Sequence, residues 1–97
     1  MRARKVLDDK MVLADGRLIQ RLVWRLPAIT ADRPQGLKYR LYCGKEGCCI
    51  VRYDNETGKG DHVHYGEEDE RPYQFVSLER LIMDFYADIE RLSGEIR

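Results

Sequence analysis

Ser77-Leu78-Glu79-Arg80-Leu81-Ile82-Met83-Asp84-Phe85-Tyr86-Ala87-Asp88-Ile89-Glu90-Arg91-Leu92 is the stretch that decides the fold. Its apolar residues recur at three- and four-residue steps: Leu78, Leu81, Ile82, Phe85, Ile89, Leu92 and, just beyond, Ile96. That spacing forms one stripe along a helix, with Glu79, Arg80, Asp84, Asp88, Glu90 and Arg91 at the other positions. Ser77 is a good N-cap because its hydroxyl accepts from a free first-turn amide. Glu79 lies near the positive end of the helix dipole. Val76 and Leu81 have the spacing of a hydrophobic staple. Such a stripe has to be covered, and a sheet with one apolar face is the simplest cover.

The residues before the helix supply that sheet. Asp15-Gly16 suits a two-residue type I′ turn, which needs positive φ at both positions. Tight closure there pairs Leu13 with Leu18, Met11 with Gln20, and Leu7 with Trp24. Alternation then gathers Leu7, Met11, Leu13, Leu18, Leu22, Trp24 and Leu26 on a core face, and sets Lys10, Arg21 and Arg25 on the other. Residues 27–36, with Pro27 and Pro34, read as a polar loop. A second hairpin is expected around a three-residue loop, Lys45-Glu46-Gly47, with Gly47 left-handed. That register keeps Leu37, Tyr39, Leu41 and Cys43 on one face with Cys49, Val51 and Tyr53. Lys38, Arg40, Tyr42, Arg52 and Asp54 take the opposite face. After a polar turn, Asp61-His62-Val63-His64-Tyr65 is a short strand, and Gly66 to Arg71 reads as an acidic surface loop. The expected fold is α+β: an antiparallel β-sheet of two hairpins plus a further short strand, one face covered by a long C-terminal helix, in a single domain over residues 1–97.

The 17 basic and 17 acidic residues of this 97-residue chain cancel, so net charge argues for neither nucleic acid nor membrane. No apolar run approaches the length that spans a bilayer. No apolar signal segment follows the charged Met1-Arg2-Ala3-Arg4-Lys5, so a cytoplasmic protein without a membrane partner is expected. Cys43, Cys48 and Cys49 are an odd set and are expected to be reduced. Adjacent Cys48 and Cys49 point to opposite faces of a strand, which disfavours a shared zinc ion.

Chemistry concentrates in Tyr53-Asp54-Asn55-Glu56-Thr57-Gly58-Lys59-Gly60-Asp61-His62-Val63-His64. The two-residue spacing of His62 and His64 puts both imidazoles on one strand face. If Val63 and Tyr65 face the core, the imidazoles join Asp54, Arg40 and Arg52 on the open side. Three readings fit these residues. One is a metal-independent ribonuclease-like site, where imidazoles move protons and cations bind phosphate. A second is a metal site of His62 and His64 with Asp61 or Asp54, for which two imidazoles are a weak signal. The third has the aspartates and histidines simply tying down the turn. Gly58-Lys59-Gly60 is no nucleotide-binding loop, since no helix follows it.

Tyr53-Asp54-Asn55-Glu56, Gly58-Lys59-Gly60-Asp61-His62 and His64 resemble the central motif of the TumE family of bacterial toxin–antitoxin proteins. Pro72-Tyr73, Phe75, Asp84-Phe85 and Asp88 resemble that family's C-terminal part. Val63 departs from the pattern, standing where a basic residue is expected. The resemblance implies the toxin of a type II toxin–antitoxin pair, with a cognate antitoxin protein as partner. Taken with the residues, it points to action on RNA. His62 and His64 are then the proton-transfer pair, with Asp54 or Asp61 orienting an imidazole. Lys59, Arg40, Arg52 and Asn55 contact the substrate, and neither a cofactor nor a metal is expected. The alternative is a non-catalytic protein- or nucleic-acid-binding module that uses the open sheet face.

Overall fold

A computed structural model describes residues 2–56 and 58–96, with helix side chains as far as Leu92. The expectation for Ile96, and Thr57 of the polar turn, lie outside these. Among the described residues the chain forms six strands and one helix: β1 (Arg4–Val12), β2 (Leu18–Arg25), β3 (Leu37–Lys45), β4 (Cys48–Asp54), β5 (His62–Tyr65), β6 (Asp69–Pro72) and α1 (Leu78–Ile96). The strands form one antiparallel sheet in sequence order, and α1 packs against it at β4. No described helix is long and apolar enough to cross a membrane.

The expected α+β architecture holds, but both hairpin turns differ from expectation. At the first, Leu13 N donates to Arg17 O (2.8 Å) and Gly16 N donates to Leu13 O (2.9 Å). Ala14, Asp15 and Gly16 form a three-residue loop in which only Gly16 has positive φ (92°). The Asp15 carboxylate accepts from Arg17 N (3.0 Å) and Arg17 Nε (2.7 Å), which holds this longer loop closed. Leu18 therefore pairs with Val12, one residue from the expected register. A one-residue slip exchanges faces. Ile19 and Val23 are buried, while Leu18, Leu22 and Trp24 go to the other side. Arg21 opposes buried Leu41 and pairs with Asp9, so Arg21 and Arg25 lie on the helix side rather than the open face.

The second turn is shorter than expected. Glu46 (φ 54°) and Gly47 (φ 79°) are both left-handed, forming a two-residue turn with Lys45 opposite Cys48. A bulge then restores alternation, so that Cys43 opposes Val51 and Arg40 opposes Asp54. The expected faces survive for Leu37, Tyr39, Leu41, Cys43, Val51 and Tyr53, all of them buried. Cys49 departs: it opposes Gly44, which turns it away from the face of Cys43. All three cysteines are free thiols.

The stretch read as an acidic loop contains β6, in which Tyr65 opposes Asp69, His64 opposes Glu70, and His62 opposes Pro72. This edge strand is charged throughout and ends in proline, which discourages pairing with another chain.

Helix α1 starts as expected, with Ser77 Oγ accepting from Arg80 N (3.0 Å). The staple does not form, since Val76 is 71% exposed. Phe75 anchors the approach instead, stacked on Tyr39 with centroids 6.1 Å apart. Leu81, Phe85 and Ile89 are buried with the sheet's inner face. Asp84 and Asp88 flank that contact rather than facing water alone. Asp84 accepts from the Tyr73 hydroxyl (2.7 Å), and Asp88 from Tyr65 (3.0 Å) and Tyr53. Burial and the bond to Asp88 push the Tyr53 hydroxyl far above the usual phenol range.

Where β4 ends, Asn55 continues its ladder with a side chain. Its Oδ1 accepts from Tyr39 N (3.0 Å) and its Nδ2 donates to Leu37 O (2.7 Å). The side-chain amide stands in for a peptide group at 1% exposure.

Two stability predictions follow from these contacts. Phe85→Ala should cost about 3–5 kcal/mol in denaturant unfolding, as for a buried aromatic cut to alanine; a cost under about 1 kcal/mol would contradict this packing. Asn55→Ala leaves a buried amide and a buried carbonyl unpaired, so the same assay should lose roughly 1–3 kcal/mol for each group. An unchanged midpoint would deny the stitch.

Candidate functional site

Strand pairing builds the open face from opposed residues. One row runs Leu22, Arg40, Asp54, His62 and Pro72 across β2 to β6. The neighbouring row runs Gln20, Tyr42, Arg52, His64 and Glu70. Directly opposed residues have Cβ atoms about 5 Å apart, so Asp54 meets His62 and Arg52 meets His64. Val63 between the histidines is buried in the core, as expected.

Asp54 and His62 are each only 4% exposed. His62 Nε2 contacts Asp54 Oδ1, and Arg52 Nε lies 2.9 Å from Asp54 Oδ2. Arg52 Nη2 lies 2.9 Å from His64 Nε2. The imidazole centroids are 4.8 Å apart at 75°. Glu70 Oε1 completes the group, 3.3 Å from His64 Nε2 and 3.6 Å from His62 Nε2.

Tautomers follow from the partners. His62 Nδ1 is 3.0 Å from Gly60 O, an acceptor only, so Nδ1 carries the proton and donates it. Arginine only donates, so His64 Nε2 presents a lone pair to Arg52. Burial pushes the pKa of His64 down, helped by the charges of Arg52 and His62 and opposed by those of Asp54 and Glu70. Arg52 Nε lies beside the Asp54 carboxylate and Asp54 Oδ1 beside His62 Nε2, yet none of these three atoms is in a well-directed hydrogen bond. The ligand atoms of Asp54, His62 and His64 lie within 4.8 Å of one another, close enough to serve one metal ion.

Shallow depressions lie on either side of the Asp54–His62 pair. Lys38, Arg40 and Arg52 line one with Asp54, Asn55 and Glu56. Lys59 and Arg71 line the other with Asp61, His62, Glu70 and Pro72. The Arg40 guanidinium lies over the Tyr42 ring, 5.9 Å from its centroid.

Of the residues singled out in the sequence, Asp54, His62, His64 and Arg52 are brought together, and Arg40 and Lys59 flank them. Asp61 is engaged elsewhere, its Oδ1 accepting from Gln35 Nε2 (3.0 Å). Asn55 spends its side chain on the β3 backbone. Glu70 escaped sequence reading, because its place depends on β6, and charge alone marked that segment as a loop. Nothing in the run Glu67-Glu68-Asp69-Glu70 distinguishes a charged edge strand from a solvated turn.

The open face thus carries a buried carboxylate–imidazole pair, a second imidazole whose Nε2 lone pair meets Arg52, and cations on both flanks. Such a group can move protons, hold an anion or bind a metal.

The chain belongs to the Toxin TumE family, whose model matches residues 2–93. No curated protein and no solved structure matches it.

Proposed function

Starting from membership in a toxin family, we propose that this protein is the toxin of a type II pair, held in check by a cognate antitoxin protein, and that it cleaves RNA at its open sheet face. The observation that carries this reading is the convergence of Asp54, His62, His64 and Arg52 between two depressions that each hold basic side chains among acidic ones.

RNA supplies its own nucleophile. The 2′-hydroxyl attacks the adjacent phosphorus, the 5′-oxygen leaves, and a 2′,3′-cyclic phosphate remains. The reaction asks for a base at the 2′-hydroxyl, an acid at the 5′-oxygen and cations for the phosphoryl oxygens. His64 is the more open imidazole, and its Nε2 lone pair suits the base. His62 suits the acid, with Asp54 stabilising the imidazolium and Gly60 O fixing the ring. Arg52, Arg40 and Lys59 suit the phosphate. Asp61 and Asn55 support from a distance: Asp61 shapes the turn, and Asn55 holds β4 to β3.

One observation favours a second reading. His62 is buried and both of its ring nitrogens face protein groups. That is what a turn-stabilising histidine requires, and it fits a binding module whose open face docks a partner without chemistry.

His64 separates the two readings, since its change disturbs little of the core. His64→Ala should abolish growth arrest on expression, with soluble level and thermal midpoint close to those of the parent. The purified parent should leave cyclic-phosphate ends on RNA, and the variant none. Growth arrest undiminished in His64→Ala at equal protein level would end the catalytic reading. His62→Ala should lose both toxicity and stability, because the residue is buried.

A further inference from the structure

Ligand atoms of Asp54, His62 and His64 lie within 4.8 Å of one another on the open face, and Glu70 Oε1 stands 3.6 Å from His62 Nε2 and 3.3 Å from His64 Nε2. The tautomers make this convergence unusual. With Nδ1–H given to Gly60 O, a neutral His62 turns the Nε2 lone pair toward the Asp54 oxygen, so an acceptor faces an acceptor. Both side chains are more than nine-tenths buried, and neither of these atoms has a hydrogen-bond donor. His64 Nε2 also presents a lone pair. Something electron-poor belongs between these atoms. A proton on His62 is one answer, but it serves a single pair; a metal cation serves the carboxylate and both imidazoles together.

The bond from His62 Nδ1–H to a backbone carbonyl is the outer contact that metal-bound imidazoles ordinarily make, because it fixes the tautomer and aims the other nitrogen. We infer that Asp54, His62 and His64 form a binding site for one divalent transition-metal ion, with Glu70 as its fourth ligand. Two imidazoles with carboxylates select zinc or a similar borderline ion over magnesium or calcium, which prefer all-oxygen shells. Arg52 is the competing cation. It lies 2.9 Å from Asp54 Oδ2, the oxygen not used as ligand, so it can keep that partner as an outer-shell group. To admit the ion it has only to release His64 Nε2, from which it stands at 2.9 Å. An ion seated here takes up the lone pairs that proton transfer requires, so metal-bound and acid–base forms of the site exclude one another.

The test is titration calorimetry of zinc chloride into the full chain, stripped with a chelator and buffered near neutral pH. One equivalent should bind, and the thermal midpoint should rise with zinc concentration, since the ion binds the folded chain alone. His64→Ala and Glu70→Gln, both changed near the surface, should fold and bind about tenfold or more weakly. Cys48→Ser/Cys49→Ser should bind like the parent, which separates this site from adventitious thiolate binding. Cobalt loading should give d–d bands without thiolate charge-transfer absorption. No binding by the parent, parent-like affinity in folded His64→Ala, or loss of binding in the cysteine variant would overturn the inference. None of these readings uses toxicity or RNA, so a failure here leaves the proposed function standing, and the reverse also holds.

Discussion

The register of β4 between β3 and β5 is the constraint on which the open face depends. β4 must turn Val51 and Tyr53 inward onto α1, and alternation then turns Arg52 and Asp54 outward. Pairing with β5 is set in the same way by buried Val63, which opposes Tyr53. Across β4 and β5 those inward contacts set Asp54 opposite His62 and Arg52 opposite His64. The core thus positions the site: a one-residue slip on either side of β4 would bury a charge and dissolve the cluster. The bulge after Cys43 corrects for the short turn at Glu46-Gly47 and puts Arg40 opposite Asp54. Asn55 then ties the end of β4 to β3, next to the carboxylate whose position matters most.

The inner face is organised by packing and by a tyrosine latch. Phe85 meets the Tyr53 ring edge-on, with centroids 6.2 Å apart, and Tyr53 meets Tyr73 edge-on at 5.0 Å. Asp84 and Asp88, one helical turn apart, take hydroxyl bonds from three tyrosines on the sheet and the segment after it. These bonds give directional definition to a contact that apolar packing alone would leave free to slide. The resemblance at Tyr73, Asp84 and Asp88 therefore has a structural meaning: these residues set the helix on the strand that carries Asp54.

Sequence reading succeeded where one pattern dominated and failed where two were equally good. The helix, its Ser77 cap, the face of β3 and the inward Val51 and Tyr53 of β4 follow from clean periodicity, whereas Cys49 lies before the bulge and departs from it. β2 does not alternate cleanly: Leu18, Leu22 and Trp24 compete with Ile19 and Val23, and both sets are apolar. The turn had to decide, and Asp15-Gly16 serves a two-residue and a three-residue loop alike. The bonds from Asp15 to Arg17 select the longer one. β6 was missed because an edge strand protected by charge looks like a loop. For the site, spacing identified the shared face of His62 and His64, and hairpin parity added Asp54 and Arg52. Burial of His62, the carbonyl on its Nδ1 and the approach of Glu70 needed coordinates, because each arises from a turn or an edge strand that pattern does not specify.

The account centres on an imidazole held by Gly60 with its other nitrogen aimed at Asp54, beside a second imidazole whose Nε2 lone pair faces Arg52. Long-range proton–nitrogen correlation of the histidine rings by NMR, on the metal-free folded protein, reads both tautomers directly. The account predicts a His62 Nδ1 that keeps its proton and exchanges slowly with water, together with an unprotonated His64 Nε2 near neutral pH. A His62 ring that is unprotonated at Nδ1, or one that averages between tautomers as in free solution, would contradict it.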